Sequence, residues 1–275
     1  ASVLRIQRRE QAKRQNPPNV LAILADPVYD AEDPRVVAVP KSAPGSTAAP
    51  QIGQGGPSRP SPANVGSRSK LRDYDASLPE GVALTRLIFS KHEADAILAT
   101  VPSRKVLQAI GFSANLTAAT NAQLSQYRII HFATHAVINQ ARPQLSALVL
   151  SRVNAKGEQQ DGLLFLHDIY DLQLNADIVV LSACQTGFGK NIKGEGLISL
   201  TRGFMYAGAK RVVASLWKVD DSATATLMAQ FYKEMFVNGR RPAAALKEAQ
   251  KYVSEQRRWR SPYFWAGFVL QGEWR

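Results

Sequence analysis

Cysteine is nearly absent: Cys184 is the only one among 275 residues. A lone thiol excludes an internal disulfide framework and any zinc site built from several cysteines. It also points to a reducing, cytoplasmic setting. Long apolar runs are missing as well. No stretch approaches the roughly 18 uninterrupted apolar residues that cross a bilayer, so no membrane association is expected. Histidine is limited to His92, His131, His135 and His167. His131 and His135 are four apart, a spacing that converges on a metal from a helix but not from a strand. Neither a metal nor a cofactor is expected. The glycines of 188–196 come without the Gly-Lys-Ser/Thr ending of a P-loop or the glycine spacing of a dinucleotide site, which argues against nucleotide binding. The first residue is Ala1 rather than Met, and Ala1 to Arg14 holds no apolar core of a signal peptide. The chain is read as an excised or processed piece.

What is present suffices for a core. Hydrophobic residues make up 45% and charged residues 20% of the chain, too apolar a balance for a disordered polypeptide. At roughly 150 residues per domain, the length fits one large domain or two small ones. Basic residues number 34 against 22 acidic, a net charge of +12 that invites a nucleic-acid reading. The basic residues cluster, however. Arg5, Arg8, Arg9, Lys13 and Arg14 sit near the start, and Arg240, Arg241, Lys247, Lys251, Arg257, Arg258 and Arg260 near the end. Solvated helix faces account for both clusters, and no aromatic-and-basic RNA signature or helix-turn-helix spacing accompanies them. Nucleic acid is not expected as a direct ligand.

Residues 2–15 pattern as an amphipathic helix. Residues 1–19 are read as a joint to an upstream domain, and 20–275 as the domain proper. Within it, 40–69 is rich in Pro, Gly and Ser and nearly free of apolar residues. Such a segment cannot bury enough surface to offset its ordering entropy, and it reads as a disordered insertion. Apolar runs predict strands over Val20–Ala25, Arg128–Ala133, Ala147–Ser151, Asp177–Ala183, Arg211–Trp217 and Tyr263–Leu270. Helices are predicted near 115–126, 195–207, 221–237 and 242–256. Another should run from a capping box at Ser90–Glu93 to about Thr100, before Pro102. Continuous apolar strands alternating with helices indicate an α/β domain, a mostly parallel central sheet with helices on both faces.

In such sheets reactive groups gather beyond the carboxyl ends of strands. Two strand ends carry them here. One is His131-Phe132-Ala133-Thr134-His135-Ala136; the other is Leu181-Ser182-Ala183-Cys184-Gln185-Thr186-Gly187. Taken singly, a hydrogen-bonded structural histidine and a buried inert thiol explain each. Together, an imidazole and a thiol at one sheet edge form the minimum for nucleophilic acyl transfer. Histidine tunes the thiol and protonates the leaving amine. The oxyanion of the tetrahedral intermediate needs backbone donors, for which the N–H groups of Cys184 and Ala136 are the natural candidates.

These two motifs, with Gly194-Glu195-Gly196-Leu197, Arg202-Gly203-Phe204-Met205-Tyr206-Ala207-Gly208-Ala209, Ser215-Leu216-Trp217-Lys218-Val219-Asp220-Asp221 and Pro262-Tyr263-Phe264-Trp265-Ala266-Gly267-Phe268, resemble a CHAT domain. CHAT domains are caspase-like modules related to caspases and separase, and are often fused behind tetratricopeptide repeats. The resemblance runs from about Val20 to Arg275 and is dense after Tyr127. It implies a caspase–haemoglobinase fold and cysteine endopeptidase activity, with Cys184 as nucleophile, His135 as general acid and base, and His131 structural. Ala136 stands where caspase relatives generally have glycine. The resemblance also implies a protein substrate, a tetratricopeptide-type regulatory domain or activator that relieves latency, and a bacterial, cytoplasmic setting.

The segment Trp217 to Asp221 matches one that lines the substrate channel in caspases and separase. Trp217, Asp220 and Asp221 are therefore candidate substrate-binding residues, the aspartates facing a basic residue before the scissile bond. Helix N-capping explains either aspartate equally well, and one can serve each role. Asp177, at a strand start, is read as structural. A catalytically silent scaffold for protein–protein signalling is the alternative reading.

Overall fold

The computed structural model describes residues 14–36, 84–102, 105–139, 142–182, 184–187 and 195–273. The predicted helix over 2–15 and the insertion over 40–69 fall largely or wholly outside the described residues; Arg14 and Gln15 are not helical.

A six-stranded sheet forms the centre. Its strands are β1 (Asn19–Ala25), β2 (Val106–Ile110), β3 (Tyr127–Ala133), β7 (Ile178–Leu181), β9 (Arg211–Ser215) and β10 (Phe268–Gly272). They lie in the order β10-β9-β7-β3-β1-β2, all parallel except β10, which runs antiparallel to β9. The apolar runs explain this sheet. In β3, Ile130 and Phe132 enter one core while Ile129 and Ala133 enter another on the opposite face. β7 alternates likewise, Val179 and Leu181 against Ile178 and Val180. Strands buried on both sides need apolar residues at every position, and helices must cover both faces.

Helices α3 (Leu166–Asp171) and α4 (Glu195–Tyr206) cover the first face, through Leu166, Ile169, Leu200 and Phe204. Helices α1 (Ile88–Leu98), α5 (Asp221–Phe236) and α6 (Pro242–Glu255) cover the second, through Ala94, Ile97, Leu227, Phe231, Leu246 and Val253. Among the described residues no helix is long and apolar enough to cross a membrane. The short helix α2 (Leu116–Ala119) and a 3-10 turn over Ala122–Gln126 replace the continuous helix expected near 115–126. Asn115 caps the first and Asn121 the second, so Asn121 restarts the chain rather than continuing it.

A second, four-stranded sheet was not predicted. It comprises β4 (His135–Ile138), β5 (Ala147–Val149), β6 (Leu163–Phe165) and β8 (Cys184–Gly187), in the order β6-β5-β4-β8. The final strand also differs from expectation. Tyr263–Leu270 does not run as one strand, because Ser261 caps a 3-10 turn over Pro262–Phe264 and β10 begins only at Phe268.

Asp177 is structural, as expected. It accepts from Arg128 Nε at 2.8 Å and from Lys210 Nζ at 2.7 Å, tying together the amino ends of β3, β7 and β9. Burial works to raise its carboxyl pKa, but these two hydrogen bonds overcome burial and hold it below the usual range.

Candidate active site

The two motifs meet through the backbone. β3 and β7 are parallel neighbours in the central sheet, with Ile129 paired to Ile178 and Phe132 to Leu181. After Ala133 and Leu181 both chains leave that sheet and pair again as β4 and β8, also parallel, with His135 opposite Cys184. The offset is 49 residues in both sheets, from Ile129 to Ile178 and from His135 to Cys184. The ladder therefore crosses the bend without slipping. In a sheet one residue of slip moves a residue to the other face, so this continuity places His135 and Cys184 on one rung. Each stands at the first position of a new strand, not loose beyond the last one.

His135 is 3% exposed. Its Nε2 lies 2.7 Å from the main-chain carbonyl of Thr85. A carbonyl only accepts, so Nε2 carries the proton and the neutral ring keeps its lone pair on Nδ1. That Nδ1 is buried with no hydrogen-bond partner among the described residues. Burial first, and then the positive charge of Lys218, lower the imidazole pKa; the Thr85 hydrogen bond works the other way. The ring is tilted against that of Tyr29, with centroids 5.2 Å apart. The Tyr29 hydroxyl is 3.2 Å from Thr134 Oγ1, and Thr134 donates in turn to the Val149 carbonyl. Burial pushes the Tyr29 phenol far up, so it stays neutral.

Thr85 is itself held. The adjacent Arg86 grips Asp26 with two parallel hydrogen bonds, Nε to Oδ1 at 2.8 Å and Nη2 to Oδ2 at 2.7 Å. Asp26 follows β1 at φ +50°, and its carboxylate, 4% exposed, also pairs with Arg35 at 2.8 Å. Sequence reasoning missed Thr85, Arg86 and Tyr29. Thr85 acts through its carbonyl, for which no side chain is diagnostic.

A family model described as the CHAT domain matches residues 1–273. The chain belongs to the CHAT domain family. CHAT domains are a caspase-like cysteine peptidase family, and the α/β fold with its mostly parallel central sheet agrees with that membership. The chain is also 41% identical over 113 residues to tetratricopeptide repeat protein 28 of Homo sapiens, and 39% identical over 110 residues to that of Mus musculus. These alignments cover 41% and 40% of this chain and 4% of each relative. CHAT sequence thus occurs in tetratricopeptide proteins, in line with the expected association.

The remaining predicted site residues of this CHAT domain have defined places. His131, on β3, is fully buried and structural in its contacts; its Nδ1 is 3.0 Å from the Tyr232 hydroxyl and its Nε2 is 2.9 Å from Glu93 Oε1. Ala136 lies in the middle of the second sheet, opposite Leu148 on β5 and Gln185 on β8. Trp217 is half-buried and donates from Nε1 to the Tyr263 carbonyl at 2.9 Å. Asp220 is the N-cap of α5 and accepts from the Ala223 N–H at 2.9 Å. Asp221 reaches across to α1, where its Oδ2 accepts from the Phe89 N–H at 3.0 Å. Burial first, then the charges of Glu93, Asp220 and Asp26, raise the Asp221 pKa to about 6, against the pull of the Phe89 hydrogen bond. The capping box expected at Ser90–Glu93 does not form. α1 starts earlier, at Ile88, so Ser90 donates back to the Leu87 carbonyl and Glu93 turns into the core.

Proposed function

We propose that this CHAT domain is a cysteine endopeptidase in which Cys184 is the nucleophile and His135 the general base and acid. The pairing of His135 with Cys184, beside an imidazole nitrogen that is buried and unpartnered among the described residues, is the observation that carries this reading. A lowered imidazole pKa means that His135 rests neutral and takes the thiol proton as attack begins. The sulfur–carbon bond forms while the carbonyl π pair moves to oxygen. The resulting oxyanion is met by the N–H group of Cys184, at the start of the edge strand β8, whereas Ala136 is buried between β5 and β8. The Thr85 carbonyl steadies the imidazolium, because a hydrogen bond from a charged donor is roughly twice as strong as a neutral one. Nδ1–H then protonates the amine as the carbon–nitrogen bond breaks, leaving a thioester. Water, deprotonated by His135, cleaves the thioester and restores the thiol.

The substrate is a protein, and a basic residue precedes the scissile bond. The exposed Asp220 and the half-buried Asp221, with Trp217 in the same segment, support that preference. A tetratricopeptide-type domain or activator, joined through residues 1–19, relieves latency in a reducing cytoplasm.

The test is a fluorogenic peptide panel varying the residue before the cut, run under reducing conditions on the full-length protein. Removing an acid/base histidine costs about 10²–10⁴-fold. Turnover should fall by that factor in His135→Ala and vanish in Cys184→Ala. No turnover, and no labelling of Cys184 by a peptide warhead in the full-length, partner-bound protein, would overturn the reading in favour of a scaffold.

A further inference from the structure

One buried ionisable cluster has no part in the chemistry just described. Glu93 is 1% exposed, and His131 and Tyr232 are 0% exposed. They come from three elements, α1, β3 and α5, and meet between the central sheet and its second helical layer. Burial first, and then the charge of Glu93, push the Tyr232 phenol well above its ordinary value, so it remains a hydroxyl. The Glu93–His131 contact has the distance of an ion pair, 2.9 Å, but not the directionality of a hydrogen bond. Burying such groups is costly, and apolar residues of similar volume often serve stability as well or better. A buried polar cluster is better suited to fixing one relative placement of its elements.

The element it fixes is α1, and the segment leading into α1 holds Thr85. That segment is tied at Arg86 to Asp26, and the first turn of α1 is tied at Phe89 to Asp221. Glu93 lies one helical turn after Phe89 and anchors the same helix to β3. β3 runs directly into His135 through Thr134. One contact thus joins the helix that delivers the carbonyl to the strand that delivers the imidazole. We propose that Glu93, through His131, is a positioning residue of the candidate site: it sets how α1 lies on β3, and so where the Thr85 carbonyl meets His135 Nε2. This rests on the reading of His135 as the base of the site.

Cys184 is the only thiol in the chain, so its alkylation by iodoacetamide reads the site without requiring turnover. The experiment compares wild type, Glu93→Leu, Glu93→Gln, Tyr232→Phe and His135→Ala. It measures urea midpoints, the pH profile of alkylation, and the His135 tautomer from ring ¹⁵N shifts. Glu93→Leu should lower the urea midpoint, since removing one partner of a buried pair strands the other, and in its folded state should alkylate about tenfold more slowly at neutral pH, since misplacement of roughly 1 Å costs up to about 100-fold. His135 should then lose its single Nε2–H tautomer. Glu93→Gln, which keeps shape and a polar acceptor, should stay within about threefold of wild type. A folded Glu93→Leu with an unchanged profile and tautomer would overturn the proposal. If Glu93→Leu fails to fold, Tyr232→Phe decides: a shifted His135 tautomer supports the positioning role, and an unchanged one overturns it. An alkylation profile unaltered in His135→Ala would remove the dyad reading alone, because the His135 tautomer still judges Glu93.

Discussion

Replacing Asp26 by Asn tests the clamp behind Thr85 most directly. The side chain keeps its shape, and Asn tolerates the left-handed backbone at φ +50°, so strain is not the variable. Charge and hydrogen bonding are. The carboxylate is 4% exposed and takes two hydrogen bonds from Arg86 and an ion pair from Arg35. The amide presents N–H groups to a guanidinium that also only donates. Breaking a fully buried ion pair costs about 3–5 kcal/mol. Here the Arg35 and Arg86 side chains are 22% and 35% exposed and regain some water, which brings the expected loss to about 2–3 kcal/mol. At about 2–4 °C per kcal/mol for a domain of this size, Tm should drop by about 5–10 °C. Urea unfolding at neutral pH gives the free energy, and repetition in 0.5 M salt separates a sheltered pair from a screened one. The exposed Lys91–Asp95 pair is the control; Lys91→Ala should cost less than about 0.5 kcal/mol. A loss below about 1 kcal/mol for Asp26→Asn, or one that added salt abolishes, would refute the claim that this cluster holds the segment carrying Thr85.

Three further outcomes follow from single contacts. Asp221 titrates at about 6 in the fold against 3.8 unfolded, so the folded state binds the extra proton and stability is lost as pH rises through that window; Asp221→Asn should match wild type near pH 4 and exceed it by about 1 kcal/mol at pH 7, after discount of a shift of about two units for partial exposure, with an advantage independent of pH counting against this. Gly208→Ala should cost about 3 kcal/mol or more, because at φ +119° a Cβ would collide with the Leu174 carbonyl; Gly239→Ala, at φ +65° with nothing nearby, should cost only about 1 kcal/mol, and equal midpoints would contradict the difference. Asp220→Ala removes the cap of α5 and should cost about 1 kcal/mol in urea unfolding.

The elements legible in the sequence are those whose burial leaves no choice of residue. β1, β3, β7 and β9 each carry a run of apolar residues because their central positions are covered on both faces, and they were predicted to within a few residues. α4, α5 and α6 were equally plain. The errors arose where a local motif competes with tertiary burial. Ser90 and Glu93 have capping-box spacing, but the core claims both side chains, and the helix begins at Ile88 instead. Tyr263–Leu270 reads as one strand by its apolar content, yet Ser261 caps a turn and Trp265 sends its indole N–H toward the Arg260 carbonyl. Of the second sheet only β5 was anticipated, within the strand predicted over Ala147–Ser151; β4, β6 and β8, of three or four residues, are too short for a periodic signal.

The candidate site divides along the same line. His135 and Cys184 were singled out because each follows an apolar strand. Their juxtaposition needed only that β3 and β7 be neighbours, and the constant offset through the bend then puts them on one rung. What surrounds and holds His135 was not legible, for reasons that differ residue by residue. Thr85 acts through a main-chain carbonyl, which every residue owns. Asp26 and Arg86 are 60 positions apart with a low-complexity stretch between them, so only their contact in the fold couples them. Glu93 looked like a surface cap because buried carboxylates are rare, and nothing in its neighbours announces His131. Side chains that react leave a signature of type and position, whereas those that hold them depend on partners the fold alone brings near. Substitutions at Asp26 and Glu93 therefore probe what motif reading cannot reach: whether the His135 imidazole, on the rung of Cys184, is kept in one tautomer by the helix packed behind it.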